Sequence, residues 1–130
     1  MSDLAQVREQ NPDWSNCLFF NGDGKVLYTT VEKHEDIQTF ISLFNDYDTT
    51  IKSGLTFNQV HYHVHRFYDG LIYGRADPNT KRTDGFCLYR TERDGKSPLY
   101  VLITYELPNV SARMIPLMSK TVEGLKDQLE

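Results

Sequence analysis

Three histidines at every second position, in Val60-His-Tyr-His-Val-His-Arg66, are the residues of this chain best spaced for chemistry. Side chains alternate across a β-strand, so a strand here puts His61, His63 and His65 on one face and Tyr62, Val64 and Arg66 on the other. Alternate residues lie about 6.5–7 Å apart, close enough for two neighbouring imidazoles to converge on one ion but too far for the outer pair without a bend. Zinc takes three or four ligands, so a metal here needs His34 or a carboxylate from elsewhere, and no partner motif supplies one. The run therefore reads either as a small metal-dependent enzyme site using His61, His63 and His65 or as the polar face of a strand that docks another protein. No Gly-x-Ser-x-Gly elbow, phosphate-binding glycine loop, Rossmann signature or His-Glu-x-x-His accompanies it. No catalytic residue, metal or cofactor is assigned.

These residues belong to a chain of 130, enough for one domain, 1–130, with one sizeable core. A net charge of −4 argues against bulk nucleic-acid affinity. No apolar stretch approaches the ~20 residues that cross a bilayer, so an integral membrane protein is not expected. Cys17 and Cys87 lie in apolar strand-like runs without zinc spacing, and read as reduced, buried thiols of a cytoplasmic protein.

The elements that must position the histidines follow in order. Ser2 is placed to cap a short helix through about Gln10 with Leu4 and Val7 inward, and Pro12 stops it. Trp14 reads as a core anchor. Residues 17–20 and 26–30 flank Asn21-Gly-Asp-Gly-Lys25, a tight hairpin turn. Ile37, Phe40, Ile41 and Phe44 form one stripe of a helix over 35–45, and 46–54 reads as a polar connector. Residues 54–66, 71–75, 86–91 and 99–105 read as strands. Asp77–Gly85 is a long exposed loop. A last helix runs to Glu130, with Pro116 expected in its first turn. Short turns imply antiparallel pairing, so the fold class is α+β: a central antiparallel sheet with the N- and C-terminal helices on one face and a further helix on the other.

Four stretches together resemble the profilins. Asn21-Gly-Asp-Gly-Lys-Val-Leu-Tyr28 is similar to the family's first hairpin, Glu35 through Tyr47 to the helix after it, Gly54-Leu-Thr-Phe57 with His61-Tyr62-x-Val64 to its Gly-Leu run, and Tyr105-Glu-Leu-Pro108 with Val122-Glu-Gly-Leu-Lys-Asp-Gln-Leu129 to its last strand and terminal helix. The likeness covers about 17–129. It implies a protein of the cytoplasm and cytoskeleton that binds monomeric actin or an actin homologue and regulates polymerisation and nucleotide exchange. Carried over by position, the actin-binding surface is His61, His63, His65, Arg66, Arg75, Arg90, Ser119, Lys120 and Glu123. The family also implies phosphoinositide headgroups as a ligand, here through Arg75, Lys81 and Arg82. Its proline-rich-ligand groove is depleted: Leu27 stands at the hairpin tryptophan position, and Leu4, Val7 and Gln128 stand where aromatics are usual, leaving Trp14, Phe19 and Tyr28 to rebuild it. Binding of proline-rich peptides is therefore expected to be weak or absent. These departures set the chain far from familiar animal and plant profilins, toward a divergent lineage such as the archaeal profilins of the Asgard group. A longin- or roadblock-like scaffold for a GTPase complex is the remaining single-sheet alternative.

Overall fold

The computed structural model describes residues 3–80 and 82–129. Strands β1 (Asn16–Asn21), β2 (Val26–Thr29), β3 (Leu55–Phe57), β4 (Val60–Tyr68), β5 (Leu71–Ala76), β6 (Gly85–Arg93) and β7 (Lys96–Tyr105) form one antiparallel sheet in the order β2-β1-β7-β6-β5-β4-β3. Helices α1 (Leu4–Glu9) and α4 (Ser111–Leu125) contribute to the core on one face through Leu4, Met114, Met118, Val122 and Leu125. Helices α2 (Ile37–Ser42) and α3 (Tyr47–Ser53) serve the other, where Ile37, Phe40 and Leu43 pack with Phe57, Tyr62, Val64, Ile72, Phe86 and Leu88. The α+β arrangement expected from the sequence is thus present, with two short helices on the second face.

The first hairpin turns where the glycines predict. The side chain of Asn21, itself buried, accepts from the Asp23 and Lys25 amides at 3.0 and 3.1 Å, and Gly24 takes φ +88°. Trp14 is a core anchor, 2% exposed. Cys17 and Cys87 are buried and unpaired; both lie beside Ile103, on opposite flanks of β7. Burial pushes the Cys17 thiol up to about 12 and Cys87 higher still, so neither is a reactive thiolate at neutral pH.

Four local expectations change. Helix α1 is capped by Asp3, whose carboxylate accepts the Ala5 amide at 3.0 Å; Ser2 lies outside the described residues. The connector 46–54 is helix α3. Asp46 caps it by accepting from the Asp48 amide and the Thr49 hydroxyl, and Gly54 ends it at φ +69°. Its apolar side is only Thr50 and Ile51, too thin to register as a periodic stripe. Removing that cap in Asp46→Ala is expected to cost about 1 kcal/mol in urea unfolding, with the slope unchanged.

The strand-like run 54–66 is two strands, because Asn58 and Gln59 both take positive φ (51° and 67°) and turn β3 into β4 in a two-residue hairpin without glycine. Pro116 sits six residues into α4 rather than in its first turn. It removes the amide that would bond the Ala112 carbonyl, and both residues are exposed, so the lost bond falls on the solvent side of the helix. The far end of α4 is tied down by Arg93, 8% exposed, which donates to the Leu129 carbonyl at 2.9 Å, and by Lys96, which donates to the same oxygen at 2.8 Å.

Candidate surface on strands β4 to β6 and helix α4

The alternation of β4 breaks once, and that break assembles the surface. Opposite β5, His63 pairs with Arg75 and Val64 with Gly74, but Arg66 then pairs with Tyr73, leaving His65 as the extra residue of a β-bulge. The inserted residue reverses the faces beyond it. Tyr62 and Val64 point into the α2–α3 core, and Phe67, not Arg66, continues that side. Arg66 shares the face of its cross-strand neighbour Tyr73, which packs on the α4 side. This corrects the simple alternation, which puts Arg66 opposite the histidines.

On this face the His61 and His63 rings meet edge-on with centroids 5.9 Å apart. The Nδ1 of His61 lies 3.0 Å from the Thr56 hydroxyl, and its ring lies against Gly54, where any side chain would collide with the Tyr62 carbonyl. His63 Nε2 is 3.6 Å from Asp77. His65 is exposed at the bulge, and partial burial together with the positive charges of His63, Arg75 and Arg66 holds its pKa below the ordinary imidazole value. Arg75 donates to the Thr83 carbonyl at 2.9 Å and lies 5.9 Å over the Tyr105 ring. Among the described residues, no three His, Cys, Asp or Glu side chains gather closely enough to hold a metal ion. The histidines form a pair and a neighbour, not a ligand set.

Helix α4 borders the face through Glu123, which accepts from the Tyr89 hydroxyl at 2.7 Å and pairs with Lys126 at 2.9 Å. Burial alone would raise the Glu123 carboxyl, but hydrogen bonds from Thr91, Lys126 and Tyr89 hold it below its usual value. Ser119 is half-buried and Lys120 exposed one residue on. The face therefore carries His61, His63, His65, Arg66 and Arg75 on the strands and meets α4 at Glu123 through Tyr89, while Ser119 and Lys120 precede Glu123 by about one turn on the same helix.

Arg90 does not join it. Alternation along β6 puts Cys87 and Tyr89 on the α4 side and Phe86, Leu88 and Arg90 on the other. There Arg90 pairs with Glu92 at 3.3 Å and lies 6.0 Å over the ring of Tyr100. Of the residues read as phosphoinositide contacts, Lys81 is outside the described residues. Arg82 is paired with Asp84 at 3.1 Å, while Arg75 holds Thr83, so both described guanidinium groups fasten the loop between β5 and β6.

Sequence reasoning missed the aromatic part of the face. Tyr68, 52% exposed, lies 6.3 Å from Tyr73 with the rings tilted by 33°, with Leu71 and Tyr89 beside it and all but Tyr68 packed against the α4-side core. The signal was present in β5, where Leu71, Tyr73 and Arg75 alternate onto one side. At the other end of α4, Trp14 and Phe19 are buried, while Val7, Leu27, Tyr28 and Ile115 are half-exposed around the terminal helices.

Comparison with known proteins agrees with this geometry. Residues 10–130 match the family model described as Profilin. Profilin-1 of Caenorhabditis elegans is 33% identical over 95 residues, a stretch covering 73% of this chain and 62% of the nematode protein. The chain therefore matches a little over three fifths of that relative's length. Among solved structures, Acanthamoeba castellanii profilin IB superposes with a TM-score of 0.71 at 18% identity, covering 89% of this chain and 87% of the other. Schizosaccharomyces pombe profilin does so with a TM-score of 0.73 at 12% identity, covering 91% and 89%. With a sheet order, terminal-helix packing and family model that agree over nearly its whole length, the chain belongs to the profilin family.

Proposed function

We propose that this chain binds monomeric actin one-to-one through the face built by β4, β5, β6 and α4, and thereby regulates actin polymerisation and nucleotide exchange. The observation that carries this reading is the β4 bulge, which puts Arg66 beside Tyr73 and Arg75. Among the described residues, Arg66 has one hydrogen-bond partner, its neighbour's carbonyl at 3.0 Å, and Lys120 has no hydrogen bond or ion pair. A tyrosine-rich centre with cations at its rim has the composition of a protein-docking surface, and unpaired cations suit an acidic partner. Occupying one end of a monomer blocks addition there, and unequal affinity for open and closed actin changes the rate of nucleotide exchange. A standard interface of about 1,600 Å² suffices.

Titration of purified actin monomers tests the reading. A one-to-one complex, slower spontaneous nucleation of pyrene-labelled actin and an altered release rate of a fluorescent nucleotide are expected. No complex at about 100 μM of both proteins, weaker than any working interface of standard size, overturns it.

Proline-rich peptides are expected to bind this chain weakly or not at all. Polyproline docks on exposed parallel rings, and two of the three available rings are inside the core. A deca-proline titration followed by Trp14 fluorescence and by calorimetry checks this, and a dissociation constant tighter than about 100 μM contradicts it. Among the described residues no third ligand stands beside His61 and His63 to support the metal-enzyme reading, and the GTPase-scaffold reading gives way to family membership.

A further inference from the structure

Three of the four histidines of the chain sit on one strand, and the bulge gathers them with two arginines, with one carboxylate, Asp77, at His63. The groups around them come from each neighbouring element. On β4 itself, His61 meets His63, and Arg66 flanks His65. From β5, Arg75 stands opposite His63 and acts on His65, with Tyr73 opposite Arg66. From β3, the Thr56 hydroxyl reaches His61. From the β5–β6 loop, Asp77 reaches His63. The charges acting on His65 are His63, Arg75 and Arg66, all cationic when protonated. Its imidazolium is thus a charge that burial and its cationic neighbours disfavour in the free protein and an acidic partner favours.

We propose that docking on this face is coupled to proton uptake by the β4 histidines, so that the complex with an acidic partner surface tightens as the medium acidifies. The proposal rests on the actin reading above and adds its regulation. The sign follows from linkage. In the free protein His65 is held neutral to lower pH by partial burial and its cationic neighbours. A carboxylate-bearing partner laid over the face favours its charged form. The complex then binds more protons than its separated parts, and affinity must rise as pH falls through the imidazole range. Each fully linked proton changes affinity by up to about tenfold per pH unit. Asp77 lies 3.6 Å from His63, whereas among the described residues the charges acting on His65 are all cationic, so His65 carries the larger share.

Calorimetric titration of actin monomers held unpolymerised, in two buffers of different ionisation enthalpy, counts the protons taken up, and repeating it between pH 7.5 and 6.0 gives the affinity slope. His34 makes a local bond to the Glu35 carbonyl outside this cluster, so His34→Gln is the control. The wild type and His34→Gln are expected to take up a fraction of a proton to one proton at pH 6.5 and to tighten about 3- to 10-fold across the range. His65→Gln is expected to lose most of that slope, and His63→Gln combined with His65→Gln nearly all of it. The quantity read is the slope, so a changed affinity at any one pH does not obscure it. A complex whose proton count is the same in the double variant as in the wild type places the linkage on actin and overturns the proposal, as does a flat or inverted slope in the wild type. Failure to form a complex at any pH instead overturns the actin reading, and the proposal with it.

Discussion

Reversing two charges, Arg66→Glu with Lys120→Glu, is expected to weaken actin binding at least tenfold, and roughly 100-fold at low salt. A single rim charge is worth little, because water screens it and its side chain loses freedom on pairing. Reversal does more than remove attraction: it sets like charges against an acidic partner, and the cost appears chiefly as slower association. Both residues are exposed, and Arg66 makes only one backbone hydrogen bond, so the fold should be indifferent to the exchange. Thermal midpoints of wild type and variant are therefore expected to agree. Raising salt beyond about 0.3 M should narrow the difference between them, since the screening length is then only several ångströms. Arg90→Gln provides the contrast. Its side chain lies on the α2–α3 side of the sheet, so actin affinity should not change. Unaltered affinity in the double variant, or a large loss in Arg90→Gln, would show that a different surface meets actin.

The second large effect is on folding. Gly74 lies opposite Val64, just before the bulge, and a Cβ there would come within 1.8 Å of the His63 carbonyl oxygen and 3.0 Å of the His65 amide nitrogen. Both are backbone atoms of the adjacent strand, so no side-chain rotation relieves the contact. Gly74→Ala must push β4 from β5 and straighten or break the bulge. A loss of about 3 kcal/mol or more is expected, with a fall of roughly 10 °C or more in the thermal midpoint. Gly124 provides the matched control: it is exposed on α4, and an added methyl meets nothing within 4 Å. Gly124→Ala is expected to be neutral or to stabilise by up to about 1 kcal/mol through helix propensity. A Gly74→Ala protein within about 0.5 kcal/mol of wild type, the usual spread for harmless substitutions, would mean that the close strand contact is dispensable. Because the bulge sets which side Arg66 occupies, whatever Gly74→Ala protein remains folded should also bind actin less well.

These two positions divide the information in the chain. The sequence by itself determined what depends on neighbours along it. Glycines and Asn21 specified the first hairpin, the 3.6-residue stripe from Ile37 specified α2, and apolar runs bounded by turn signals specified the strands. Short turns then required antiparallel pairing, and the profilin pattern of four ordered stretches was legible before any geometry. Local polar signals were readable but easily discounted, as when Asp46 and Gly54 bounded a helix whose apolar side was too thin to stand out.

Tertiary structure alone decided which face each charged residue serves. A strand's side-chain period is two, so one inserted residue at His65 moved Arg66 across the sheet, and Phe67 took its place in the core. Nothing local in Tyr62-His-Val-His-Arg-Phe67 announces that insertion; it is enforced by the close approach of Gly74 and by the need to bury Phe67 against Phe44 at 6.3 Å. The same parity sent Arg90 to the far side, because Phe86 and Leu88 must face the larger core. Alternation is a property of one strand, whereas its phase is fixed by what the neighbouring strand and the helices above it will accept.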